Sequence, residues 1–321
     1  MQQEDDKKEL ASLGWLFLVS MIIHVAGSVL QGIIYQRDPE FPVELALIIS
    51  EMTILIPSVI YILIRNMSIK EDLGFRPIRA GSVLMCVLLS VLVSAIASFI
   101  NVFSQLFVSN TMVGMSESLL GGYGLAVLFL AAIYGPFCEE FLFRAILFNR
   151  YDRYVGPLRA GLISAALFAL AHMNINQAAY AFVLGVIFSI INKAAGSVYP
   201  SIIIHACING ANMLMLLAMG AAAEALGDKT DIVESAEAAR QSDAIYVLLG
   251  VTFFAAVICT LIAIPCVVWL SKHEGKFDDL TDMFTVKHEN AGWLRLPTVL
   301  GMAFLLFIMF GLEPVMKLLN G

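Results

Sequence analysis

Glu139, Glu140 and Arg144 stand within one apolar stretch, Cys138-Glu-Glu-Phe-Leu-Phe-Arg-Ala145. A charged side chain at membrane depth costs at least about 2.5–3.5 kcal/mol on insertion scales, so each of the three needs a partner or a function. On a helix Glu140 and Arg144 are four apart and meet on one face, while Glu139 is turned by about 100° and points elsewhere. Arg144 can neutralise one carboxylate, and the other then needs its own reason to be there. Two readings follow: a single buried ion network holding all three, or a Glu139 that faces a wet cavity as a general base.

Two further pairs bear on that choice. Phe168 and His172 are four apart, as are His205 and Asn209, so each pair presents one face of a helix. A carboxylate base, two imidazoles and a side-chain amide in one wet pocket are the parts needed to hydrolyse an amide. Glu139 takes a proton from water, His172 helps to orient that water, and His205 with Asn209 hydrogen-bonds the oxyanion of the tetrahedral intermediate. No serine, cysteine or threonine nucleophile is required. The sequence has no His-Glu-x-x-His zinc motif, no Gly-x-Ser-x-Gly elbow and no Gly-Asp pair in a span for an aspartyl dyad. No cofactor is expected. A zinc site built from Glu139, His172 and His205 is the alternative, ranked second because a glutamate that ligates zinc is no longer free as base. His24 and Glu51 are each alone in their own apolar runs, and packing or hydrogen bonding toward the bundle interior accounts for them.

These motifs carry a resemblance. Glu139-Glu140-x-x-x-Arg144, Phe168-x-x-x-His172 and His205-x-x-x-Asn209, in that order on successive helices, resemble the CAAX-processing and bacteriocin-immunity (CPBP/Abi) intramembrane proteases, also called type II CAAX prenyl endopeptidases. The resemblance covers about residues 123–215, with Leu-Gly-Phe-Arg at 73–76 as a softer match. It implies a helical glutamic-type membrane endopeptidase in which Glu139 activates water, His172 and His205 assist and Asn209 sits in the oxyanion hole. Phe168, Glu140 and Arg144 take supporting roles. Members resembling the Ras-converting enzyme cut after a prenylated cysteine, whereas bacterial members are linked to peptide maturation, immunity and regulation.

The elements that must position these residues are membrane spans. Of 321 residues 60% are hydrophobic and 14% charged, and mean hydropathy is +0.85, far from a soluble domain at roughly 45–50% apolar and about 25% charged. Apolar runs long enough to cross a bilayer recur at about 12–34, 43–64, 82–108, 123–149, 159–173, 177–192, 198–219, 244–270 and 297–316. The expectation is an all-α polytopic bundle of eight or nine helices in the cell membrane. It divides into N-terminal spans (1–122), a catalytic core (123–219) and an acidic outer loop with C-terminal spans (220–321).

With the N-terminus inside, the cytoplasmic segments collect Lys7, Lys8, Arg65, Lys70, Arg76, Arg79, Arg150, Arg153, Arg159, Lys193, Lys272, Lys276, Lys287 and Arg295. Only Arg37, Lys229, Arg240 and Lys317 fall outside, which is the positive-inside pattern and puts the C-terminus out if all nine spans are real. The net charge of -7 comes mainly from the outer loop at about 221–243, where Glu224, Asp228, Asp231, Glu234, Glu237 and Asp243 suggest an acidic surface helix. Nothing supports nucleic-acid binding. All five cysteines fall inside spans, without a CxxC pair, and are expected to be reduced packing groups.

Depth offers a check. Glu139 lies about 15 Å, His172 about 20 Å and His205 about 10 Å in from the expected cytoplasmic helix ends, so the three can share a layer. The run 159–173 is too short to cross at about 20–22 Å, so Asn174-Ile-Asn176 must bend at membrane depth, which is tolerated only where backbone is buried in protein or lines a cavity. A second class of function stays open, a proton-coupled transporter or a catalytically silent scaffold, although no repeat of the transporter kind is visible. The expected partners are the bilayer and a peptide or protein substrate, lipidated or not.

Overall fold

The computed structural model describes residues 2–110, 119, 120, 122, 124–226, 232–286 and 294–320. Asp228, Lys229, Asp231 and Lys287, singled out above for their charge, lie outside the described residues. Among the described residues the secondary structure is helical throughout: α1 (Gln2–Arg37), α2 (Val43–Ile64), α3 (Ala80–Ser104), α4 (Gly124–Val155), α5 (Pro157–Ala171) and α6 (Ile175–Ala195), then α7 (Tyr199–Leu226), α8 (Ile232–Gln241), α9 (Ala244–Glu274), α10 (Phe277–Thr285) and α11 (Leu296–Asn320). Seven of these, α1 to α4, α6, α7 and α9, are long and apolar enough to span a bilayer, and α5 and the Leu296–Gly311 part of α11 are shorter apolar helical stretches. The protein is an all-α, multi-pass membrane protein, as its composition implies. The acidic loop expected to form one surface helix is split between the end of α7 and a separate α8.

Helix contacts follow from small residues where helices cross. A side chain at Gly185 on α6 would lie 2.8 Å from the backbone of Ala165 on α5 and 3.0 Å from Arg144 Nη2, and one at Gly161 would lie 3.1 Å from Ser189. Helices in lipid gain little from apolar burial against one another, so close backbone approach along such small residues supplies the attraction. Pro57 within α2 and Pro265 within α9 are tolerated for the reason that applies to membrane helices generally: neighbours re-satisfy the freed carbonyls.

The turn between α5 and α6 forms where the short apolar run requires a bend. His172 caps α5, Met173 takes a positive φ of 54°, and the Asn174 side chain accepts a hydrogen bond at 2.8 Å from the Gln177 amide to start α6. Asn176 then turns inward and donates to Asn101 Oδ1 at 2.7 Å and Ser104 Oγ at 2.8 Å, so the polar bend is held by polar groups of α3.

The segments assigned to one membrane side by their charges do meet at one end of the bundle. Glu9 bridges Arg65 and Arg150, Asp72 pairs with Arg150 and Arg153, Lys193 with Asp152, and Arg79 reaches the His273 carbonyl. The connector at 66–79 lies here as a docked strap. Gly74 has φ +75° against Asn149, whose amide donates to Leu73 O at 2.9 Å, and its own carbonyl receives the Val198 amide at 3.0 Å. Phe75 packs on Phe137, Phe141 and Tyr199 with ring centroids 5.6–6.4 Å apart, tying the strap to α4 and α7.

Candidate active site

The chemistry-bearing residues sit on α4, α5 and α7, and α4 departs from a plain α-helix. It widens into π-turns at Leu130–Tyr134 and Phe141–Phe148, with an α-helical segment Gly135–Glu140 between them. Pro136 explains the first. It has no amide to donate and its ring clashes with the carbonyl four residues back, that of Ala132. In the wider register Gly135 N–H bonds to Leu130 O, so the next carbonyl, Ala131, would look to residue 136 and find none. Asn209 on α7 fills that vacancy, its amide donating to Ala131 O at 3.3 Å. Single-turn π segments inside α-helices frequently mark functional sites.

Glu140 and Arg144 form the expected pair, Arg144 Nη1 donating to Glu140 Oε1 at 3.0 Å, and both side chains are fully buried. The rest of the guanidinium faces aromatic rings, with Cζ 4.1 Å from the centroid of Phe168 and 5.3 Å from that of Phe188. Phe168 thus supports the cation from one side. Its ring also meets His172 edge-on, centroids 4.9 Å apart, and His205 at 5.9 Å.

Glu139 faces the other way. It lines a cavity of about 580 Å³ together with His172, His205, Asn209, Tyr180 and Phe168. His205 stands between the two carboxylates: Nδ1 lies 3.0 Å from Glu140 Oε1 and Nε2 lies 3.5 Å from Glu139 Oε2. A carboxylate only accepts, so Nδ1–H points to Glu140 and Nε2 is the atom turned to Glu139. His172 Nδ1 lies 2.9 Å from the Phe168 carbonyl. A carbonyl cannot donate, so Nδ1 carries the hydrogen and the Nε2 lone pair of the neutral ring is left for the cavity.

The structure therefore gathers Glu139, His172, His205 and Asn209 around one cavity and sets Glu140, Arg144 and Phe168 behind it. Among the described residues no group of three or more His, Cys, Asp or Glu side chains is arranged to hold a metal ion. Of the two weak candidates, His24 hydrogen-bonds Thr53 Oγ1 at 2.7 Å, and Glu51 lies against Gly135 with one carboxylate oxygen, Oε2, buried and without a hydrogen-bond partner. Sequence reasoning missed the amide-rich wall that Asn101 and Asn212 contribute. Helical spacing from Asn209 does not reveal Asn212 as a wall residue, because the cavity is shaped by four other helices, α3 to α6. The π-turns were also unforeseen, although Pro136 inside an apolar run was the available signal.

Fold and site together are those of a helical membrane protein with a buried Glu-Arg pair and, in front of it, a cavity lined by a second glutamate and two histidines. Residues 121–211 match the sequence model described as type II CAAX prenyl endopeptidase Rce1-like. The chain is 34% identical over 89 residues to the membrane-embedded CAAX protease MroQ of Staphylococcus aureus (strain USA300), an alignment covering 26% of this chain and 36% of that protein. The segment holding the site is thus similar to CAAX proteases, and the chain matches only about a third of the length of that curated relative. No solved structure matches the chain.

Proposed function

We propose that the protein is an intramembrane endopeptidase of the CAAX protease type, in which Glu139 activates water for attack on a peptide bond. One observation carries this reading: the Glu139 carboxylate opens onto the cavity while its neighbour Glu140 is buried and committed to Arg144 and His205. Two adjacent carboxylates in different surroundings take different roles, one structural and one reactive.

A water between Glu139 and the Nε2 of His172 has an acceptor on each side. Glu139 takes its proton as the water oxygen bonds to the scissile carbonyl carbon. The tetrahedral oxyanion forms next to Asn209, whose amide has a second hydrogen beyond the one given to Ala131. Collapse breaks the C–N bond, and Glu139 returns its proton to the leaving nitrogen. The contacts of His205 with both carboxylates favour a role in orienting Glu139 over one on the oxyanion.

The substrate in this reading is a peptide or protein segment at the membrane, lipidated or not. The charged strap end of the bundle is the cytoplasmic side, with the N-terminus inside. The test is cleavage of a fluorogenic peptide by purified protein in detergent or vesicles. Loss of cleavage in Glu139→Ala, with normal protein yield, is the expected result, and cleavage that persists unchanged in that variant overturns the reading.

A further inference from the structure

Against the turn of α4 that precedes Glu139 lies a second carboxyl group that the reaction described above does not use. Glu51 projects from the middle of the apolar helix α2 onto α4. A side chain built on Gly135, one helical turn before Glu139, would lie 3.4 Å from Glu51 Oε1. The other oxygen, Oε2, is shielded from solvent and has no hydrogen-bond partner. The titratable groups that act on Glu51 or feel its charge are Tyr134, Cys138 and Glu139, all on α4. His24 lies on α1, the adjoining helix. Thr53 Oγ1 donates to Ser50 O at 2.5 Å, so it must accept from His24, whose Nδ1–H is thereby occupied. Arg144 acts on Glu140 and Glu139. Glu51 therefore has a carboxylate for its electrostatic neighbour and no cation paired with it among the described residues.

An ionised carboxylate in that position, at membrane depth and beside a second one, is strongly disfavoured, and the ordinary resolution for two such groups is to hold one proton between them. We propose that Glu51 is the second member of a carboxyl pair with Glu139, carrying the proton while Glu139 is ionised, so that the resting site bears one negative charge there. The inference rests on the reading of Glu139 as the base. Glu51 is a positioning residue that acts through Glu139. The proton taken from water travels to Glu139 and on to the leaving amine, and the proton on Glu51 stays in place through the cycle, so the hydrolysis balances without it. Its loss at alkaline pH puts a second negative charge beside Glu139, which opposes the negative charge that develops in the transition state and slows the reaction.

The decisive variant is Glu51→Gln, which keeps the shape and a neutral, hydrogen-bonding end but cannot ionise. Peptide cleavage by wild type and E51Q is followed across pH, with E139A as the control for the base itself. E51Q is expected to match wild type near neutrality and to lack the alkaline fall in kcat/KM; identical alkaline limbs, or a folded but inactive E51Q, overturn the proposal. Infrared difference spectroscopy of the protein without substrate supplies a readout independent of catalysis. A protonated-carboxyl band present in wild type and absent from E51Q supports the pair even if no peptide is cut, and the absence of any such difference overturns it. Cleavage that survives in E139A removes the base assignment, a failure distinct from either of these.

Discussion

The side-chain amide of Asn209 donates to the carbonyl of Ala131 at 3.3 Å, replacing a backbone bond that Pro136 cannot make. This single bond clips α7 to the π-turn of α4 about two helical turns ahead of Glu139. It gives Asn209 a structural duty beside whatever it does for an oxyanion, and the two are separable by experiment. Asn209→Ala leaves a buried carbonyl unpaired and is expected to cost about 1–3 kcal/mol. Pro136→Ala restores an N–H at the position the carbonyl faces. In the Pro136→Ala background the stability cost of Asn209→Ala should therefore shrink, as read from thermal unfolding in detergent, while any loss of peptide cleavage should persist. Equal costs in both backgrounds would show that the amide does not serve that carbonyl.

Arg144 is predicted to hold the bundle together. Removing one member of a buried ion pair typically costs about 3–5 kcal/mol, because the partner is left charged and alone. Arg144→Ala should therefore lower the amount of protein in the membrane, and replacing both partners, Glu140→Gln with Arg144→Met, should recover part of it. Normal abundance of Arg144→Ala with activity lost would assign Arg144 to the chemistry instead.

The two histidines should part company. His172 borders the cavity and its ring is tied to its own helix through the Phe168 carbonyl, so His172→Ala should accumulate and unfold nearly as wild type does while losing cleavage. His205 is buried and supports Glu140, so His205→Ala should lose both cleavage and thermal stability. Matched unfolding temperatures for the two variants would remove the distinction.

Asp72, in the strap outside the spans, should make stability depend on acid. Burial works against its charge, but the Ser68 amide at 2.7 Å and the Arg153 and Arg150 guanidiniums outweigh it and hold the carboxyl below its ordinary range. A depressed folded value means that the stabilisation is present above the unfolded carboxyl's value, about 3.9, and is lost as pH falls through the lower folded value. Unfolding temperature should drop more steeply below about pH 4 in wild type than in Asp72→Asn. Parallel curves would show that this cluster contributes nothing measurable, which is the common outcome for exposed ion pairs.

Much of this protein was legible in the sequence because the bilayer leaves few choices. Backbone polar groups in hydrocarbon must be satisfied within the helix, so length and apolarity announce the spans, and a run as short as Pro157–Ala171 announces a bend before α6. The Glu140–Arg144 bond was equally legible, since residues four apart on one helix meet whatever the rest of the chain does. What only the tertiary structure decided are the contacts between helices far apart in sequence. No spacing rule places His205 between two carboxylates of α4, ties Asn209 to a carbonyl that Pro136 orphaned, or brings Glu51 of α2 against Gly135. Local periodicity sets which face a side chain occupies. Which neighbour that face meets depends on how helices cross, and small residues set those crossings by letting backbones approach, as Gly185 does against Ala165.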